Sequence, residues 1–309
     1  MDWNHRKYAL ESAEGVIDAI PTMMKAPELD LLYSIAKNRY TGSGIIVDAG
    51  IFMGASTKCF LQGILSQGDA LNSDRPLIHS FERGKVTPAM KGYEGFESYE
   101  VGDDYSKLVK KLFEDAHYVN FNFGDIQDIV YFDKSIEILF LDILKTPNVM
   151  QKCNELFFPN LQVGKGIVVQ QDFYWPFGWW INAWMERWNE HFEYIDFAET
   201  SLVCEYVKEL PSSAYDPNEI MGTSEDEMVD ILKNPNIPAF RLDHAMAQRL
   251  KVVNYLMFVK NYARAFEELD EFMNTYFAKF LVRKTDAVSL RMKNDINRMR
   301  GTLKKSLQK

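Results

Sequence analysis

The feature that most constrains the fold is a repeated alternation of short apolar runs with segments of helical period. Apolar or alternating runs favour strands, and apolar residues three and four apart favour helices. Strands are predicted at Ile45–Val47, 76–81, 118–125, 136–143 and 165–172, with helical segments between them. The run IEILFLDI, 136–143, is almost continuously apolar, as in a strand buried on both faces. The alternation therefore predicts an α/β protein with a doubly wound parallel sheet.

Two further runs, FEYIDFAE and SLVCEYVKEL, follow each other closely between residues 192 and 210. Their spacing predicts an antiparallel hairpin at the sheet edge. Five parallel-type strands and this hairpin make a seven-stranded sheet.

The order of segments predicts four regions. An N-terminal helical segment, 1–40, shows helical spacing over 8–38 with a break at Pro21, and the sheet domain spans 41–210. Residues 211–238 hold four prolines and an acidic cluster, which indicates a linker or lid. Residues 239–309 form a helical C-terminal extension with a basic tail.

The extension contains nine apolar residues at alternating spacings of three and four, a heptad-like stripe. They are Val252, Tyr255, Val259, Tyr262, Phe266, Leu269, Met273, Tyr276 and Phe280. The stripe packs either on its own domain or on another subunit. We expect a homodimer, or a protein partner, through these C-terminal helices.

Charge and composition exclude several classes of protein. The chain has 309 residues and a formal charge of −9, and from Phe280 onward it has nine lysines and arginines against two acids. Because the rest is strongly acidic, nucleic-acid binding is not expected. The tail is either a solvated, partly frayed terminus or a contact for an anionic partner or membrane surface. The sequence contains no run of 18 uncharged apolar residues, so no transmembrane segment is predicted. Without a signal-peptide pattern or paired cysteines, we expect a cytoplasmic protein.

The stretch IIVDAGIFMGAS contains the main candidates for ligand binding, Asp48, Gly50, Gly54 and Ser56. Its spacing, D-x-G-x-x-x-G, lacks the third glycine of a dinucleotide fingerprint and the G-K-[ST] of a P-loop. A carboxylate at this position repels phosphate and attracts an ammonium or sulfonium group. S-adenosylmethionine, a cationic ligand without phosphate, meets these demands.

The run IIVDAGIFMGAST resembles motif I of the Rossmann-like (class I) S-adenosylmethionine-dependent methyltransferases, and the resemblance extends over about residues 30–210. It implies a Rossmann-like sheet and that cofactor. IHSFE ends on Glu82, which the resemblance places against the ribose hydroxyls. NFGDI contains Asp125, placed against the adenine amino group, and ILFLDI ends near Asp142, also expected beside the cofactor.

Within this superfamily the chain is most similar to the macrocin and mycinose sugar O-methyltransferases. That group has D-x-D after strand four and D-D after strand five, acids that hold a divalent metal and supply a base. Here Asp142 and Asp172 match, and they are the catalytic candidates, but Leu144 and Gln171 replace the other two acids. The resemblance implies methyl transfer to a hydroxyl of a sugar or other small molecule. The two replacements argue against a divalent metal.

Each candidate also has a structural interpretation. The glycines can serve close helix–strand packing, Asp125 can be a helix N-cap, and the other acids can be exposed residues at strand ends. The aromatic cluster FYWPFGWW, 173–180, fits either an acceptor pocket or a hydrophobic cover. Two other functions stay open: a methyltransferase-like binding or scaffold subunit without turnover, and an NAD-dependent oxidoreductase.

Overall fold

A computed structural model describes residues 10–15, 20–68, 75–216, 218–277 and 287–307. Contacts between Cα atoms divide the described chain into two compact units. The sheet unit comprises residues up to 171 together with 191–211. The helical unit comprises 172–190 together with the chain from 212 onward.

The sheet unit contains a seven-stranded sheet, in the order β3-β2-β1-β4-β5-β7-β6. Its strands are β1 (Ile45–Ala49), β2 (Ile78–Glu82), β3 (Val119–Phe123), β4 (Ile136–Leu141), β5 (Ile167–Gln170), β6 (Phe192–Ala198) and β7 (Ser201–Tyr206). β1 to β5 pair in parallel, whereas β7 pairs antiparallel with β5 and with β6. The predicted doubly wound, seven-stranded Rossmann-like fold with an antiparallel edge hairpin is confirmed.

Burial explains why β1 and β4 lie at the centre of the sheet. Every residue of both strands is buried, including the charged Asp48 of β1 and Glu137 of β4. By contrast, every residue of the edge strand β3 is only half-buried. The change of strand order on either side of β1 places a crevice at the carboxyl ends of β1 and its neighbours, where ligands bind in this class of sheet.

The described part of the sheet unit contains four α-helices: α1 (Ala26–Arg39), α2 (Ala55–Leu65), α3 (Ser106–Leu112) and α4 (Pro147–Phe157). The helical expectation for 8–38 differs from the structure, since residues 10–15 and 20–25 are not helical and α1 begins at Ala26. Pro27 stands in the first turn, and the Glu28 side chain accepts a hydrogen bond from Lys25 N at 3.0 Å. Both features fix a helix start.

Within its described residues, the helical unit contains six α-helices: α5 (Trp179–Arg187), α6 (Asn218–Met221), α7 (Glu225–Lys233), α8 (Leu242–Phe258), α9 (Tyr262–Phe272) and α10 (Ala287–Leu307). The heptad-like stripe does not follow one helix, because a turn at Val259–Asn261 separates α8 from α9. Val252, Tyr255 and Leu269 are buried. The Tyr276 side chain and Phe280 lie outside the described residues.

The basic tail forms an ordered helix within its own unit. Met292, Ile296, Met299 and Leu303 of α10 recur every three or four residues and are buried, and Arg298 lies over the Phe177 ring at 4.8 Å. The frayed-terminus interpretation is therefore wrong for residues 287–307. Within the described chain, no helix is both long and apolar enough to cross a membrane.

Candidate functional site

The loop after β1 is attached to the ends of both neighbouring strands. Gly50 N donates to Phe81 O at 2.9 Å, and Asp142 N donates to Ala49 O at 2.8 Å. Gly50 has φ +96°, and a Cβ there would lie 2.7 Å from the carbonyl carbon of Asp142. Only glycine fits this close passage of two backbones.

The second glycine of the loop, Gly54, is the N-cap of α2. It has φ +92°, and a Cβ would lie 2.6 Å from the Phe113 ring. Its position is therefore also required by packing. Close packing therefore accounts for both glycines, whether or not a ligand binds.

Asp48 lies beneath this loop with no exposed surface. Its carboxylate accepts hydrogen bonds from Ser56 Oγ at 3.0 and 3.1 Å and from Thr57 Oγ1 at 2.6 Å. Burial raises the pKa of Asp48 to about 7, while the two hydroxyls oppose this rise. The structure thus brings Asp48 and Ser56 together as a buried support, from which Asp48 can act on a ligand only through its charge.

Glu82, at the end of β2, holds the loop in place. Its Oε2 accepts a hydrogen bond from Phe52 N at 2.9 Å, and its Oε1 accepts one from Gly84 N at 3.3 Å. Phe52 has φ 51°, an uncommon left-handed conformation for a residue other than glycine. The Glu82 carboxylate therefore stabilises a strained turn and is half-buried beside open space.

That open space is a cavity of about 750 Å³ at the carboxyl ends of β2 and β3, a volume within the usual range for small-molecule sites. Glu82, Gly124, Asp125, Ile126 and Ile143 are among its lining residues. Asp125 is an N-cap, since its Oδ1 accepts a hydrogen bond from Gln127 N at 3.0 Å. Glu82 and Asp125, which the sequence places on different strands, share one cavity.

The two catalytic candidates belong to different units. Asp142 follows β4 in the sheet unit and forms an ion pair with Lys145 at 2.6 Å, with 22% of its side chain exposed. Asp172 belongs to the helical unit, where it has φ 62° and its carbonyl accepts a hydrogen bond from Trp175 N at 3.0 Å. Each therefore has a defined local environment of its own.

The two residues that replace expected acids are both buried. Leu144 is in the apolar core. The Gln171 amide donates to Glu28 Oε1 at 2.9 Å and to Thr200 Oγ1 at 3.3 Å, and accepts a hydrogen bond from Ser201 Oγ. Gln171 is thus part of a buried polar network in the sheet unit.

The network contains a carboxylate, Glu28, that is not among the site residues predicted from the sequence. Besides the bond from Gln171, its Oε1 accepts hydrogen bonds from Thr200 Oγ1 at 3.0 Å and Ser201 Oγ at 3.2 Å. The sequence feature that could have indicated Glu28 is its position as an acid directly after Pro27, in the first turn of α1. Among the described residues, no group of three or more His, Cys, Asp and Glu side chains is placed to hold a metal ion.

The aromatic cluster 173–180 is mostly core of the helical unit. The Trp179 ring lies 4.9 Å from that of Tyr255, and Tyr174 stacks on His244 at 3.8 Å. Trp175 and Phe177 are only half-buried, with ring centres 5.1 Å apart. The Trp175 ring therefore keeps some exposed surface, whereas one face of the Phe177 ring is covered by Arg298.

Buried Lys251 fixes the backbone of this cluster. Its Nζ donates to Phe173 O at 2.7 Å, to Gly178 O at 3.2 Å and to Asn182 Oδ1. Burial lowers the pKa of Lys251 well below its ordinary value. Nothing in the sequence distinguishes this lysine from the many exposed ones.

Comparison with known proteins gives a likeness of structure only. No family model matches the chain, and no curated protein matches it. Among solved structures, it is similar to the O-methyltransferase NovP, with 16% identity over 60% of this chain and 82% of that chain, at a TM-score of 0.47. It is also similar to CalS11, a TDP-rhamnose 3′-O-methyltransferase of calicheamicin biosynthesis, with 17% identity over 59% and 78% of the two chains, at 0.41.

An RNA methyltransferase from Salinibacter ruber, in complex with S-adenosyl-L-homocysteine, has 18% identity over 62% of this chain and 97% of that chain, with a TM-score of 0.35. These proteins show what the chain is similar to. Its fold is established by its own strand order, and its chemistry has to be argued from its own residues.

Proposed function

We propose that the protein is an S-adenosylmethionine-dependent methyltransferase. The observation that supports this most is the position of Glu82, whose carboxylate both holds the glycine loop and lines the 750 Å³ cavity. A carboxylate at the end of the second strand is suited to accept hydrogen bonds from ribose hydroxyls. Asp125 lines the same cavity and is available to an amino group.

The residues present fit this cofactor better than a dinucleotide. From Asp48 to Ser56 the loop has no lysine or arginine, and the buried carboxylate beneath it disfavours a pyrophosphate. The same charge favours a cation. When bound, S-adenosylmethionine supplies an electrophilic methyl group on a sulfonium.

The chain's own contribution is orientation and proton acceptance. Glu82 and Asp125 would orient the nucleoside end, and a carboxylate, Asp142 or Asp172, would accept the proton of the attacking hydroxyl. Holding both reactants in line accounts for much of the rate enhancement in such displacements. We propose a hydroxyl of a sugar or other natural product as acceptor, on the sequence resemblance to sugar O-methyltransferases, and a turnover that does not require Mg²⁺.

Calorimetry with S-adenosylhomocysteine and with NAD⁺ tests the cofactor. We expect micromolar affinity for S-adenosylhomocysteine, about −8 kcal/mol, and none for NAD⁺. Glu82→Gln should weaken binding by roughly tenfold or more, because a hydrogen bond to a charged group is lost. Glu94→Gln, the same change at an exposed residue of this unit, is the control. Tight binding of NAD⁺ alone would favour the oxidoreductase instead.

A second candidate function is a binding or scaffold subunit without turnover. It is favoured by Leu144 and Gln171, which are buried where the similar enzymes have acids. Mass spectrometry of hydroxylated small molecules incubated with the protein and S-adenosylmethionine separates the two functions. Asp142→Asn and Asp172→Asn should identify the base, whose loss lowers kcat by roughly 10²-fold or more.

We retain self-association and a cytoplasmic location as proposals. For association, Phe258, the last residue of α8, and Val259, in the turn after it, offer exposed apolar surface. For location, Cys59, Cys153 and Cys204 are buried free thiols, as is common in reducing compartments.

A further inference from the structure

A compact insertion separates β2 from α3. Residues 83–105 contain a 3₁₀ turn at Pro88–Gly92, and the two ends of the segment are joined, because Tyr105 N donates to Gly84 O at 3.0 Å. Surface loops whose ends lie close together are frequently functional. Since Glu82 is the last residue of β2, the insertion begins and ends beside the carboxylate that lines the cavity.

Aromatic side chains of this insertion pack against the loop after β1. The Phe52 ring lies 5.4 Å from that of Tyr93 and 5.7 Å from that of Phe96, measured between ring centres. The Tyr105 ring lies 5.4 Å from that of Phe96 and 6.5 Å from that of Phe52. Because the Phe52 amide donates to Glu82, this aromatic cluster fixes one of the donors of the Glu82 carboxylate.

The Tyr105 hydroxyl is a buried polar group within this cluster. The side chain has no exposed surface, and the hydroxyl has no partner at ordinary hydrogen-bond geometry among the described residues. Burial raises the pKa of Tyr105, and the charge of the nearby Glu82 carboxylate and a weak hydrogen bond to it raise the pKa further. The hydroxyl is therefore a protonated donor beside Glu82 that lacks a full hydrogen bond.

Glu82 can accept this donor without losing the donors that it already has. A carboxylate has about four lone-pair sites on its two oxygens, and the amides of Phe52 and Gly84 take one site on each oxygen. The last torsion of a glutamate side chain is broad, so a small rotation brings an oxygen to the Tyr105 hydroxyl while the backbone stays in place. One site then remains for a ligand in the cavity.

Tyr105 does not itself line the cavity of about 750 Å³, whereas Glu82 does. A fully buried hydroxyl does not touch a ligand, so any influence of Tyr105 on binding has to pass through Glu82. A third donor on the interior side of the carboxylate holds the remaining lone pair toward the cavity. An acceptor that is held in its binding orientation before the ligand arrives loses less conformational freedom on binding.

We propose that Tyr105 is a positioning residue for the cofactor: its hydroxyl donates to Glu82 and holds the carboxylate in the orientation that accepts a ribose hydroxyl. The choice of ligand rests on the proposed function, whereas the contact between Tyr105 and Glu82 is a property of the free protein. Tyr105→Phe removes this donor and keeps the ring that packs against Phe96.

Calorimetry on the full chain with S-adenosylhomocysteine, and with its 2′,3′-dideoxy analogue, tests this role. We expect Tyr105→Phe to weaken binding of S-adenosylhomocysteine by about fivefold or more. The affinity for the dideoxy analogue should not change, because that ligand has no ribose hydroxyl to donate to Glu82. Tyr93→Phe, the same change in the same aromatic cluster, should alter neither affinity. Equal losses for the two ligands in Tyr105→Phe, as from a merely structural role, or no loss for either would overturn the proposal.

A double-mutant cycle in the free protein tests the contact separately from the cofactor. We expect the shifts in urea midpoint caused by Tyr105→Phe and Glu82→Gln to be non-additive in the double variant, because residues in contact are coupled. The shifts of Tyr93→Phe and Glu82→Gln should add. Additive shifts for Tyr105→Phe would overturn the contact. If the natural protein does not bind S-adenosylhomocysteine, the proposed function fails and this role fails with it. If Tyr105→Phe binds it as tightly as the natural protein does, only the role of Tyr105 fails.

Discussion

At Asp48, burial acts against ionisation. The side chain has no exposed surface, and its carboxylate depends on Ser56 and Thr57 for its hydrogen bonds. Burial raises its pKa from 3.8 to about 7, and each unit of such a shift corresponds to about 1.4 kcal/mol. The charge that we propose for cofactor binding is therefore a cost to the folded state.

The first prediction follows from the sign of this shift. Between about pH 4 and 7 the folded protein binds one proton more at Asp48 than the unfolded chain, so the free energy of unfolding decreases as pH rises through this range. Asp48→Asn removes this decrease. The free energy of unfolding of the variant minus that of the natural protein should therefore be larger at pH 8 than at pH 5. Urea unfolding at several pH values measures it, with exposed Asp128→Asn as control. Identical pH slopes for natural protein and Asp48→Asn would contradict it.

The second prediction concerns Gly50, where a Cβ would meet the backbone of Asp142. Gly50→Ala should lower the free energy of unfolding through two effects: the strain of an alanine at φ +96° and the clash of its Cβ with the Asp142 backbone. The clash should add roughly 1–3 kcal/mol to the cost of the strain. Gly102→Ala is the matched control, because Gly102 has φ +99° and no atom within 4 Å of its hypothetical Cβ. Equal losses in the two variants would show that the loop can move away from Asp142.

The sequence indicates some of these residues and not others. Glu82 and Asp125 can be predicted as neighbours, since the carboxyl ends of parallel strands meet at one edge of a sheet. The inward position of Asp48 depends on hydroxyls of the next helix. The bond from Gln171 to Glu28 joins residues 143 positions apart, and no local pattern reports such a contact.

At the level of elements, the turn between α8 and α9 is the clearest departure from the pattern. Apolar spacing continues through Val259–Asn261, and no glycine or proline marks the break. Lys260 has φ 64°, and the Asn261 side chain accepts a hydrogen bond from Arg264 N at 3.3 Å as the N-cap of α9. An asparagine cap is a polar signal, so hydrophobic periodicity does not detect it.

The third prediction concerns α8 and the aromatic cluster. Lys251→Met leaves two backbone carbonyls and the Asn182 amide oxygen without their buried donor. An unsatisfied buried acceptor costs about 1–3 kcal/mol, so the free energy of unfolding should decrease by at least that amount. Near-UV circular dichroism should also change, because Trp179 packs against Tyr255 of the same helix. Lys107→Met, at an exposed site, should do neither. Unchanged stability in Lys251→Met would show that water replaces the ammonium.

At the level of the whole molecule, the helical unit is built from two separate parts of the chain. Residues 172–190 interrupt the sheet unit in sequence and pack with helices beyond residue 212. Linear composition predicts regions in chain order, and cannot show that an internal segment groups with a distant one. Because residues 172–190 pack with the C-terminal helices, truncating those helices would remove packing partners of Trp179. A change in the oligomeric state of such a variant could then come from partial unfolding.

The fourth prediction therefore uses point substitutions. Phe258 and Val259 are 46% and 39% exposed, and adjacent exposed apolar residues favour association. We expect light scattering to show a dimer for the full chain and a shift toward monomer in Phe258→Ser/Val259→Ser. Met23→Ser/Leu65→Ser, at exposed apolar residues of the sheet unit, should remain a dimer. A monodisperse monomer for the natural chain would remove the proposal.

The antiparallel insertion of β7 between β5 and β6 has a consequence for synthesis on the ribosome. Synthesis of β5 is complete once Gln170 has been added. β4, one of its two neighbours, precedes it in the chain, but the other neighbour, β7, is complete only at Tyr206. While the intervening residues emerge, the apolar strand IVVQ has one unpaired edge, a template for wrong pairing. Nascent chains stalled near residue 190 should therefore need chaperones, whereas release of about twenty further residues closes the sheet.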